Sequence, residues 1–356
     1  MSSRRQIITR IFRGTRRNIA LLARSLRRGE LVAVPTETVY GLAGNALSPA
    51  ACAAIFLAKG RPAADPLIVH IHDLAQLDQL AFRNDAVEKL ARAFWPGPLT
   101  LVLPKKDIVP PLVTSGLPSV AIRMPAHPLF RELLKQCALP LVAPSANPFG
   151  YISPTRAGHV RDGLSGKVAS ILDGGDCAIG LESTIVDLRD PRRPAILRPG
   201  PIGAKDIARV LRAPVRAPAK TRAAPETPAA PVALLAPGMM TRHYSPQTPV
   251  VLHAHARLTP AVIAGIPADE AVLPLFAAAA RAGGARAKNI FPLARKQNLA
   301  GAARNLYAAL RALDTARPRW KKIHAELAPS AAGVPPRDRA LATAINDRLL
   351  RAAARV

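Results

Sequence analysis

Pro35-Thr36-Glu37-Thr38-Val39-Tyr40-Gly41-Leu42, then Lys59-Gly60-Arg61-Pro62, then Pro66-Leu67-Ile68-Val69-His70, is the stretch from which the fold of this chain can be read. The apolar run Leu31 to Val34 stops at a proline, and hydroxyls, a carboxylate, a phenol and a glycine follow at once. Such a run orders backbone without filling a core, so its use is to line a site. Lys59 and Arg61 stand beside a glycine and a proline, a poor place for a helix interior. Residues two apart on a regular helix face different ways, but at a helix end entering a loop both can reach one anion. A mobile lysine charge with a bidentate arginine fork suits a triphosphate. Two solvated charges after a helix terminus are the plainer alternative.

Working outward, helices are expected at 16–28, from Ser48-Pro49 to about Gly60, from Asp73 onward, and at 84–94, 128–137 and 202–211. Strands are expected at 31–34, 67–71, 99–103, 119–122, 139–143, 168–172, 184–188 and 195–198. They mix without alternating as a β-α repeat. This predicts an α/β domain over 15–210 with a twisted mixed β-sheet flanked by helices, not a doubly wound nucleotide fold. Residues 1–14 read as a basic N-terminal extension. Residues 211–248 are rich in alanine, proline and charge and read as a stiff linker. Within it, His243-Tyr244-Ser245-Pro246 holds more side-chain chemistry than a spacer requires. Strands at 250–253 and 272–276 and helices at 299–313 and 338–354 predict a smaller, Rossmann-like α/β C-terminal domain over 249–356.

Composition narrows the function classes. A chain of 356 residues exceeds what one core usually holds, which fits two domains. The net charge of +27 is spread along the chain and attracts polyanions in general, nucleotides and RNA included. No zinc-finger spacing, RNP pattern or KH element is present, and at 4% aromatic residues a base-stacking platform is poorly supported. No apolar run approaches the ~18 residues of a membrane span. Met1 to Arg28 lacks a secretory apolar core. Cys52, Cys137 and Cys177 form no CxxC pair, which argues against a disulfide framework and suits a reducing, cytoplasmic compartment.

Further candidates follow the strands. Ser145 and Asn147, between Pro144 and Pro148, can bind phosphate oxygens or a base edge, or can simply build a turn. Ser145 as a hydrolase nucleophile lacks the GxSxG elbow. His70 in an apolar strand reads as a structural histidine unless Arg123 lies beside it, when the two could hold a carboxylate. Gly180-Leu181-Glu182-Ser183-Thr184 and Leu197-Arg198-Pro199-Gly200 are not Walker loops, and no HExxH or His/Cys cluster announces a metal.

Taken in order, these blocks, with Phe94-Trp95-Pro96-Gly97-Pro98-Leu99-Thr100 and Pro144-Ser145-Ala146-Asn147, resemble the YrdC-like threonylcarbamoyl-AMP synthases over roughly residues 15–210. The HYSP segment and the extra domain resemble the long, two-domain form. The resemblance implies that L-threonine, bicarbonate and ATP with Mg²⁺, and no organic cofactor, give threonylcarbamoyl-adenylate and pyrophosphate. A partner enzyme complex then transfers the threonylcarbamoyl group to adenosine 37 of tRNAs reading codons that start with A. It implies that Lys59, Arg61, Ser145, Asn147 and Arg198 hold ATP, with Lys59 and Arg61 catalytic. Thr36, His70, Arg123 and Ser183 would hold threonine, and His243, Tyr244 and Pro246 would cover the site. A nonenzymatic RNA-binding protein of the same fold and a hydrolase or carbamoyltransferase using another carbamoyl donor are the competing classes, and direct contact with tRNA stays open.

Overall fold

The computed structural model describes residues 7–217, 234–238, 240, 243–277, 288–329 and 333–354. The first domain is built on ten strands: β1 Arg10–Arg13, β2 Val32–Val34, β3 Gly41–Asn45, β4 Ile68–His70, β5 Leu99–Pro104, β6 Ser119–Arg123, β7 Leu141–Val142, β8 Ser170–Asp173, β9 Thr184–Asp187 and β10 Ala195–Arg198. Their order across the sheet is β1-β8-β2-β3-β7-β4-β6-β5-β9-β10. Pairs β2/β3, β3/β7, β4/β7, β5/β6 and β9/β10 are antiparallel, whereas β1/β8, β2/β8, β4/β6 and β5/β9 are parallel. The sheet is therefore mixed, as its strand spacing predicts.

Two of these strands depart from the sequence reading. Arg10–Arg13, left in a basic extension without a role, is an edge strand parallel to β8. Its arginines guard an edge that would otherwise invite pairing with another chain. Gly41–Asn45 reads as site loop but forms β3, in the middle of the sheet. A Cβ at Gly41 would stand 3.0 Å from the Ala143 Cβ, and one at Gly44 would stand 3.0 Å from Leu31 and 3.1 Å from Ile55. The strand exists because its glycines let neighbours approach, and those same glycines weaken the strand signal.

Local chemistry fixes the helix ends. The helix Arg16–Arg27 starts where the Thr15 hydroxyl accepts from the Asn18 N–H, and buries Ile19, Leu22, Ala23 and Leu26 in one cluster with Phe130, Leu133 and Leu134 of the helix Pro128–Cys137. The helix Pro49–Lys59 starts with the Ser48 hydroxyl on the Ala51 N–H and Pro49 in the first turn, and stops at Gly60, whose φ is +64°. That stop is what makes Lys59 the last helical residue and turns Arg61 into the following loop.

The second domain has three parallel strands, β11 Val250–His253, β12 Ala271–Leu273 and β13 Ile323–Glu326, in the order β11-β13-β12. Strand β13, in the middle, is absent from the sequence reading because His324 and Glu326 interrupt its apolar pattern. The helices Leu299–Asp314 and Arg339–Ala353 belong to this domain. The two domains share an apolar cluster in which Val39, Ile152 and Leu181 of the first join Ala303, Leu306, Tyr307 and Leu310 of the second. All three cysteines are free and buried. Among the described residues no helix is long and apolar enough to cross a membrane. Residues 218–233 of the expected linker, with 239, 241 and 242, lie outside the described residues; Leu234 returns to the first domain through its N–H on the Ala64 carbonyl, 3.2 Å.

Candidate functional site

The Pro35–Leu42 stretch folds on itself. The Thr36 hydroxyl accepts from the N–H groups of Thr38 and Val39, donates to the Val39 carbonyl at 2.7 Å and stands 2.8 Å from the Thr38 hydroxyl. Beneath it, His70 and Arg123 are register partners across β4 and β6, the adjacency on which a joint role depends. The Arg123 guanidinium turns toward Glu37 at 2.6 Å, the Thr38 hydroxyl at 3.0 Å and the Gly97 carbonyl at 3.2 Å. Burial, with Arg123 adding to it, pushes His70 down to about 3, so its ring is neutral; its Nδ1 has no partner. Across the site the Ser183 hydroxyl lies 2.7 Å from that of Thr100 and accepts from Arg198 at 3.1 Å. Arg198 also donates to the Ser183 carbonyl and, at 3.3 Å, to the carbonyl of Pro237.

The other wall begins at the end of the helix Pro49–Lys59. Lys59 Nζ donates to the carbonyls of Ser145 and Asn147 at 2.5 and 2.6 Å. The Asn147 amide donates to the carbonyls of Pro148 and Tyr151, leaving its own oxygen without a partner. Arg61 donates to the carbonyls of Asp65 and Pro66 and pairs with the Asp65 carboxylate at 2.9 Å. Burial first, and then Arg61, hold the Lys59 pKa well below its ordinary value. The helix end and loop thus leave Lys59 and Arg61 close enough to repel, with Lys59 tied to the Ser145–Asn147 turn and Arg61 to Asp65.

Over the gap lies the HYSP segment. Tyr244 has φ +62°, a left-handed conformation that costs a non-glycine residue about 1–2 kcal/mol. Surrounding rings hold it: His243 at 4.0 Å between centroids and Tyr307 at 5.6 Å, with the Arg348 guanidinium 5.2 Å from its centroid. Its hydroxyl and the His243 Nδ1 are buried without partners among the described residues. Burial pushes His243 down to about 3 and Tyr244 up to about 12.

These parts enclose a cavity of about 50 Å³ whose walls include Thr36, His70, Arg123, Ser145, Arg61, Arg198, His243 and Tyr244. Lys59, Asn147 and Ser183 are not in direct contact with it. Pro246 lines a neighbouring cavity of about 740 Å³ instead, beside Phe149, Tyr151 and Arg311. Three arginines thus face one small space, with Glu182 the one lining carboxylate among the described residues. The arrangement suits an anionic substrate held by charge and by oriented N–H and O–H groups.

Several residues of the site escape sequence reasoning. Glu37 and Glu182 sit inside quoted blocks, and their carboxylates amid hydroxyls and glycines are a usable signal. Tyr307, Arg311 and Arg348 carry none: they read as ordinary residues of a basic amphipathic helix, yet all three reach the first domain.

Fold and site together define a YrdC-type protein: a twisted mixed sheet holding an arginine-lined pocket, covered from a second domain. Residues 24–200 match the Sua5/YciO/YrdC family model, described as telomere recombination, and residues 202–354 match that of the threonylcarbamoyl-AMP synthase C-terminal domain. The chain belongs to this family, in its two-domain form. It is 46% identical over 235 residues to the threonylcarbamoyl-AMP synthase of Pyrococcus abyssi, spanning 66% of this chain and 67% of the relative. The Bacillus subtilis synthase is 46% identical over 238 residues, 66% of each chain. The crystal structure of P. abyssi Sua5 complexed with L-threonine superposes with a TM-score of 0.84 at 38% identity, covering 97% of this chain and 98% of that one.

Proposed function

We propose that this chain condenses L-threonine, bicarbonate and ATP into threonylcarbamoyl-adenylate and releases pyrophosphate. One observation carries the reading: the likeness to a threonine-bound family member runs through both domains and nearly the whole of each chain. The threonine amine and bicarbonate give a carbamate with loss of water. A carbamate oxygen then attacks the α-phosphorus of ATP, and pyrophosphate leaves. Both steps depend on positioning and charge neutralisation, and neither requires a covalent enzyme intermediate.

In this reading Arg123, His70, Thr36 and Ser183 receive threonine. The neutral His70 ring offers its free Nδ1, and Arg123 stands ready for a carboxylate. Lys59, Arg61, Ser145, Asn147 and Arg198 receive ATP, with Lys59 and Arg61 drawing negative charge off the phosphates. Glu182 is the carboxylate at the cavity, and its oxygens are already taken by Ser153, Tyr307 and Arg348. Among the described residues no group of three His, Cys, Asp or Glu is arranged to hold a metal. Mg²⁺ would enter with ATP and add its charge to that of Lys59 and Arg61 at the phosphates.

The 50 Å³ cavity is far smaller than the roughly 300–1,000 Å³ of pockets that hold ligands of nucleotide size. ATP cannot enter until Pro237, Gly238, His243 and Tyr244 move, so these residues form a cover that opens for substrates and closes over a labile product. The adenylate is then consumed by transfer of its threonylcarbamoyl group to tRNA by a partner enzyme complex. The test is pyrophosphate release by the purified protein with ATP, Mg²⁺ and bicarbonate. Release should depend on threonine and fall about 100-fold or more in folded Lys59→Ala and Arg61→Ala proteins. Release that ignores threonine would refute the reading.

A further inference from the structure

The chemistry above leaves unused a set of buried charges between the two domains. Glu182 is 6% exposed and Arg348 1%. Glu182 accepts from the Ser153 hydroxyl at 2.6 Å through one oxygen, and from Tyr307 Oη and Arg348 Nε, both at 2.8 Å, through the other. Arg348 also donates to the Pro199 carbonyl at 2.9 Å, pairs with Asp347 and lies against the Tyr244 ring. One guanidinium of the second domain therefore touches the residue before Ser183, the residue after Arg198, and the cover.

A second arginine serves the opposite wall. Arg311 donates to the carbonyls of Ile152 and Ser153, and its guanidinium lies 4.9 Å from the Tyr151 ring centroid. The Tyr151 carbonyl receives the Asn147 amide at 2.9 Å, and the Tyr151 hydroxyl donates to Asp314 at 2.7 Å. Arg311 thus holds the loop that continues from Ser145 and Asn147.

Burying ions is a poor way to add stability, because apolar side chains of similar volume usually serve as well or better. What a buried, hydrogen-bonded arginine supplies is placement. We infer that Arg348 and Arg311 are positioning residues for the reaction, each holding a different wall. Arg348 sets the threonine side through Glu182 and Tyr244, and Arg311 sets the nucleotide side through Tyr151 and Asn147. The second domain is then a structural part of the active site. The inference rests on the synthase reading and on its division of the pocket into two walls.

Its test is a reciprocal pattern in the full-length protein. Threonine and ATP affinities are measured by calorimetry, and the two KM values by pyrophosphate release. Arg348→Lys should weaken threonine about tenfold or more and ATP by a clearly smaller factor, through Pro199 beside Arg198; Arg311→Lys should show the opposite order, its smaller effect on threonine passing through Ser153. A purely structural role would lower the active fraction and kcat for both substrates alike, with neither KM moved. Should either lysine variant fail to fold, Tyr307→Phe, which removes one donor to Glu182, should weaken threonine alone, and Tyr151→Phe, which removes the bond to Asp314, should weaken ATP alone. Variants that keep both affinities, or lose both equally, overturn the inference. A wild-type protein that binds no threonine overturns the synthase reading and this inference with it, which separates the two failures.

Discussion

His70 and His243 are buried, and burial is what chiefly opposes a proton on either; Arg123 adds to it at His70, whereas at His243 the pull of Glu182 is opposed by Arg61, Lys59 and Arg198. Both are held at about 3, against an ordinary value of 6.5. The unfolded chain therefore binds protons that the native state refuses. Stability from these neutral rings is complete above about pH 6.5 and is lost as pH falls from there toward 3, at about 1 kcal/mol per ring per pH unit. Glu182 acts lower down. Burial alone would raise it, but Arg348 and then Arg198 bring it to about 2, so its contribution is full above about 4.5 and lost below. Urea midpoints should fall between pH 7.5 and 5.5, and His70→Asn should flatten that slope. An unchanged slope would mean that His70 is not neutral and buried in solution. At this scale much was legible: Lys59, Arg61, Arg123 and Arg198 stand out as charges beside glycine or proline or at strand ends. Arg311 and Arg348 do not, because sequence cannot distinguish a helical arginine facing water from one facing another domain.

Among the elements, the cover is the most constrained for its length. Gly238 has φ +78°, and a Cβ there would lie 2.7 Å from the Tyr244 hydroxyl and 3.3 Å from Arg198. Gly60 has φ +64° with nothing within 4 Å of a Cβ. Alanine at Gly60 should cost about 1 kcal/mol of backbone strain and leave turnover nearly intact. Alanine at Gly238 should displace the Tyr244 ring and reduce turnover about tenfold or more, with a melting temperature near that of the parent. Turnover and thermal midpoints for the two variants check this; equal activity would show that Tyr244 adapts without effect. Elements with strong periodicity or caps, such as the helix opened by Ser48 and Pro49, were readable in advance. Strand β3 was not, because close packing of neighbours selected glycines there. Strand β13 was not either, because half its residues are polar and are spent on hydrogen bonds: Glu326 accepts from the N–H groups of Ala256 and Leu275.

For the molecule as a whole, the shared cluster makes the domain boundary a matter of chain connectivity more than of packing. Val39, Ile152 and Leu181 have their apolar neighbours in the second domain, and Arg311 and Arg348 complete polar groups of the first. Separating the domains would expose that surface and leave Glu182 buried or hydrated without its counter-ion. The two domains should therefore unfold together, as a single calorimetric transition. Two resolved transitions would show that the interface contributes little. The sequence marked two domains through its proline-rich segment, but nothing in either half reveals that they share a core, since apolar residues facing a partner domain look like those facing their own.

The tether on Lys59 has a last consequence. Its ammonium has already exchanged water for the carbonyls of Ser145 and Asn147. Dehydration of the lysine was therefore completed during folding and is not repeated when a ligand arrives. A newcomer must compete with two well-placed dipoles, which an uncharged nucleoside does poorly and a polyanion does well. If the site takes ATP as proposed, the two carbonyls would act as a threshold: adenosine would leave the lysine in place, and a triphosphate would draw it away.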